Sequence, residues 1–102
     1  MCAADRIGLL NKNGMDAFSK GYYEDALYYL GMAADRARLA GTPLQEAHIR
    51  NNIGLVFQGL GNPSQAKIHF KLAMSLIEKK EGPANPLHSV VAANLRELRE
   101  AV

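Results

Sequence analysis

The chain has 102 residues and a mass of 11.1 kDa, with 12 basic and 10 acidic side chains giving a formal charge of +2. One small domain fits that length, and it leaves little room for a substrate pocket with catalytic machinery. Neither half is charged enough for a nucleic-acid arm or a membrane patch. A single cysteine, Cys2, excludes an internal disulfide framework and a Cys-rich metal site. No apolar run approaches the roughly 18 residues of a membrane span. The stretch containing Asp5 and Arg6 lacks the apolar centre of a signal peptide, so a cytoplasmic protein is expected.

The first expected helix, 5–19, carries Ile7, Leu10, Met15 and Phe18 at weak helical spacing. The second, 22–39, has a clearer stripe in Ala26, Leu30, Ala33 and Ala37, with Glu24 and Asp25 suited to the positive end of its dipole. Gly41 ends it, and Thr42-Pro43 opens the third, 43–60, with Ile49, Ile53, Val56 and Phe57 on one side. Gly61 and Asn62-Pro63 repeat this punctuation before the fourth, 63–80, whose stripe is Ala66, Phe70, Ala73 and Ile77. Gln45 and Gln65 stand at the third helical position, as in a capping box. Gly82, Pro83 and Asn85-Pro86 lead to the fifth, 86–101. No segment alternates with period two. Short links between five helices make neighbours antiparallel.

The chain is also self-similar. Gly14 matches Gly54, Gly21 matches Gly61, Ala26 matches Ala66, Leu30 matches Phe70 and Ala33 matches Ala73, each pair 40 residues apart. A mid-helix glycine costs about 1 kcal/mol against alanine and is tolerated where a neighbouring helix comes close. Ala26 and Ala66 are the expected small residues facing Gly14 and Gly54. The stretch Asn52-Ile53-Gly54, Phe57, Gly61, Ala66, Phe70, Ala73 resembles the tetratricopeptide repeat family. Gly14, Gly21-Tyr22-Tyr23-Glu24, Ala26, Leu30 and Ala33 resemble a second copy, with Ala17 in place of the usual aromatic and Asn13 in place of the usual aliphatic. The period exceeds the family's usual 34, and the extra residues fall around 36–46. The resemblance implies an all-α, right-handed superhelix of antiparallel helix pairs. Repeat 1 covers about 7–40, a linker 41–46, repeat 2 about 47–80, and a capping helix 86–101.

The resemblance further implies a protein-interaction module that binds a peptide or helix of a partner protein in a concave groove. No phosphate-binding loop, nucleophile elbow or metal-ligand cluster occurs in the sequence, so no catalysis, cofactor or metal is expected. His48, Asn51, Asn52, Leu55 and Gln58 share one face of the third helix. Amide side chains carry both donors and acceptors and suit a peptide backbone. Asn11, Met15 and Phe18 in the first helix and Asn94 in the last extend that face. Asn11, Asn51, Asn52 and Asn94 are placed to form a ladder across three helices, with Met15, Phe18 and Leu55 as apolar anchors. The bland alternative is a plain solvated surface, or the seat of the last helix. Only Lys12 lies near this face, so a basic clamp for a terminal carboxylate is not expected. His48, His69 and His88 are too scattered for a metal site, and Lys67, Lys71 and Lys79 read as a solvated face of the fourth helix. The competing expectation is a self-assembling subunit. Val90, Val91, Leu95, Leu98 and Val102 would then join a second copy instead of capping their own chain.

Overall fold

The computed structural model describes residues 3–100, with side-chain surroundings for 6–99; Cys2 and Val102 lie outside the described residues. It contains α1 (Ala3–Ser19), α2 (Tyr23–Ala40), α3 (Pro43–Gly59), α4 (Pro63–Lys80) and α5 (Pro86–Glu100), with no strand among the described residues. The all-α class follows directly from the punctuation. Gly21, Gly41 and Gly61 sit at φ of 82, 70 and 75°, the left-handed region open to glycine. Each makes the same two bonds back into its helix. Gly61 N–H donates to the Gln58 carbonyl at 3.0 Å and Asn62 N–H to the Phe57 carbonyl at 2.9 Å. At the first turn the donors are Gly21 and Tyr22, and at the second Gly41 and Thr42.

The start signals work by two routes. The Asn62 side chain accepts from Gln65 N–H at 3.2 Å, as a cap should. Thr42 does not cap. Its hydroxyl points back to the Ala37 carbonyl at 3.2 Å and to Gln45 Oε1 at 3.1 Å, which joins α2 to α3 across the turn. The expected linker 41–46 is likewise shorter: only Gly41 and Thr42 separate α2 from α3, because Pro43 already occupies the first helical position.

Each helix packs mainly on its neighbours in the chain, with a smaller contact between α1 and α3. The resulting array is a slab of 43 × 33 × 17 Å. Two buried clusters fill it. The first contains Ile7, Ala26, Leu30, Ala33, Ala34 and Ala37 with Ile49, Ile53 and Val56. The second contains Ala47, Ala66, Phe70, Ala73, Ile77, Val91 and Leu98. Helix α3 supplies residues to both, and Phe57 touches both.

The mid-helix glycines are explained by close approach, but the partners differ from those expected. A Cβ on Gly54 would lie 2.4 Å from the Phe70 ring, and one on Gly14 would lie 2.6 Å from Leu30 Cγ. Large residues therefore seat on the glycines. The nearest Ala26 atom to such a Cβ on Gly14 is its carbonyl oxygen, at 3.3 Å.

Candidate functional site

Helices α1, α3 and α5 are the first members of successive pairs, and side-chain amides tie them together. Asn52 Nδ2 donates to Asn11 Oδ1 at 2.9 Å, linking α3 to α1. Asn94 Nδ2 donates to Asn51 Oδ1 at the same distance, linking α5 to α3. The device repeats: each later helix offers an amide donor to an asparagine one pair earlier. Asn51 and Asn52 are only 3% and 7% exposed. The four asparagines thus pair across the three helices as the expected ladder implied, but the burial of Asn51 and Asn52 and the commitment of one acceptor or donor of each amide between helices leave less of them open to a peptide than expected. Burying an amide without a partner costs about 1–3 kcal/mol, which is why these pairs form.

The remaining expected site residues divide by burial. His48 is exposed and Gln58 half-buried. Met15 and Phe18 are half-buried against the first core, and Leu55 against the second. Phe18 is turned toward the α1–α2 turn, where its ring lies 5.7 Å from that of Tyr23. The apolar anchors are thus partly used in packing. Of the expected end-face residues, Val91 and Leu98 are buried in the second core and Leu95 packs on it, while Val90 is 49% exposed.

Two features escaped the sequence. On the α3–α4 side, Arg50 Nε donates to buried Glu46 at 3.2 Å, and the His69 ring stacks on Phe57 with centroids 5.5 Å apart. His69 Nδ1 is buried without a hydrogen-bond partner. Burial, reinforced by the Arg50 charge, lowers the His69 pKa, so the folded chain favours the neutral ring. The second feature is a groove of about 480 Å³ between α4 and α5, lined by Pro63, Ser64, Lys67, Lys71, Leu95, Leu98 and Arg99. The four-residue spacing of Lys67 and Lys71 was its visible signal.

Among the described residues no three metal-ligating side chains converge, and no helix is long and apolar enough to cross a membrane. No family model, curated protein or solved structure matches the chain.

Proposed function

We propose that the chain is a non-enzymatic protein-interaction module of the tetratricopeptide-repeat kind, acting in the cytoplasm as an adaptor or chaperone-like scaffold. It holds a peptide segment or helix of a partner protein on the α1–α3–α5 face. The observation that carries this reading is the pair of amide bridges, Asn11–Asn52 and Asn51–Asn94. They fix the three helices at one spacing, so the face meets its partner already formed and loses little conformational freedom on binding. His48 and Gln58 supply polar contacts there, and the half-buried Met15 and Leu55 supply apolar ones.

Site-specific photocrosslinking in the native cell tests this. A benzophenone side chain at His48 or Gln58 is expected to capture a partner protein. The same group at Tyr28, 64% exposed on α2, is expected to capture none. Capture at Tyr28 with none at His48 or Gln58 overturns the reading.

A further inference from the structure

The groove between α4 and α5 has a composition that a solvated face does not require. Its floor is apolar, formed by Leu95 and by Leu98, which is only 7% exposed. Its charged lining is entirely basic: Lys67, Lys71 and Arg99. Along α4 the cationic ridge continues to Lys79, which borders an adjoining groove with Lys71, Met74 and Leu95. The single acid there, Glu78, faces His88 Nε2 at 3.7 Å. Among the described residues none of these four cations forms an ion pair. The helix pair itself does not demand the charge, because the 40-residue period places Leu27 and Gly31 at the positions of Lys67 and Lys71 in the first repeat.

The geometry points to a second binding site: this groove takes an acidic amphipathic helix from a partner protein, lying along α4 and α5. Positions 67, 71 and 79 are separated by multiples of four, about 6 Å of rise for each four residues. A helix with carboxylates at four-residue spacing presents charge at the same interval, and its leucine-like stripe fills the floor. A bilayer does not reach a floor as recessed as Leu98. A single-stranded nucleic acid needs aromatic faces for stacking, and none lines the groove. The site shares α5 with the asparagine-bridged face, but its other wall is α4, and it does not rest on that face's function.

The test is a display selection of a randomised helical-peptide library against the full chain. Enriched peptides are expected to carry Asp or Glu at four-residue spacing beside an apolar stripe. Binding should weaken about tenfold or more in Lys67→Glu/Lys71→Glu, because like charges then face each other. These lysines are exposed, so the variant keeps its fold, checked by circular dichroism. Ile68→Glu, outside the groove, should leave binding unchanged. Amide shifts on titration should cluster at Lys71, Leu95 and Leu98. Enrichment of basic or uncharged peptides overturns the proposal. So does binding insensitive to the double variant, or shifts centred on His48. Competition of the peptide by phosphatidylserine vesicles would instead identify a lipid surface. A dimer seen by light scattering on dilution, and lost in the double variant, would identify a second copy. Either result overturns the partner-helix assignment.

Discussion

The two helix pairs share one period and are filled differently. In α3–α4 the glycine seat holds an aromatic ring, Phe70 on Gly54, and Phe57 adds a second ring that reaches both cores. In α1–α2 the seat holds Leu30 on Gly14, and the residue equivalent to Phe57 is the small, buried Ala17. The missing volume is made up at the turn, where Phe18 and Tyr23 pack on each other and close against Gly59. The backbone contact is thus the repeating unit. The side chains that fill it differ with what lies on either side, and the second pair has packed helices on both.

The largest test of that contrast removes the seated residue. Phe70→Ala should cost about 3–5 kcal/mol and Leu30→Ala somewhat less, both read by urea denaturation. Next comes the seat. Gly54→Ala should cost about 1–3 kcal/mol despite the gain in helix propensity, because the buried ring has no room to yield. Gly14→Ala should cost less, since Leu30 has alternative rotamers. Equal costs would show that the two seats are equally rigid. The bridges follow. Asn52→Ala and Asn51→Ala should each destabilise by about 1–2 kcal/mol, and a cycle with Asn11→Ala should return a coupling of about 1 kcal/mol for Asn11–Asn52.

A smaller effect appears with pH. The folded chain holds the His69 pKa below the value of about 6.5 expected when unfolded, so the unfolded chain binds more protons. Stability should therefore fall as pH drops through that value and recover above it. His69→Tyr, which installs the residue found at Tyr29 in the first repeat, should flatten the slope measured by thermal unfolding between neutral and mildly acidic pH. The smallest effect is at Lys12, whose exposed ion pair with Asp16 at 3.2 Å should be worth under about 0.5 kcal/mol in Lys12→Ala.

The array was legible because its grammar is local. Turn glycines, the prolines after them and the 3–4 spacing of Ala26, Leu30 and Ala33 each act within one turn of helix. The matching of distant positions also exposed the repeat. What was not legible depended on direction. The four asparagines were legible as a ladder across three helices, but Asn51 and Asn52 look alike in a helical wheel whether they greet solvent or a neighbouring helix, so which amides pair and how deeply they are buried was not. Thr42 in a Thr-Pro-Leu-Gln sequence reads as a cap, yet its hydroxyl had a second acceptor within reach in the Ala37 carbonyl. The groove beside Lys67 needed the position of α5, which the packing of Val91 and Leu98 and the Asn94–Asn51 bridge set.

Helix α3 gives Ile49, Ile53 and Val56 to one core and Ala47 to the other. Removing the helices on either side of α3 exposes residues it buries there, so the melting of one flank weakens the other. The unit of cooperativity is consequently the whole array, although the period suggests two modules. In native-state hydrogen exchange, the α3 amides should be the last to exchange, at the global unfolding rate, while those of α1 and α5 exchange sooner through fraying. A central helix shared in this way works as a keystone, since both flanks must fall before it does.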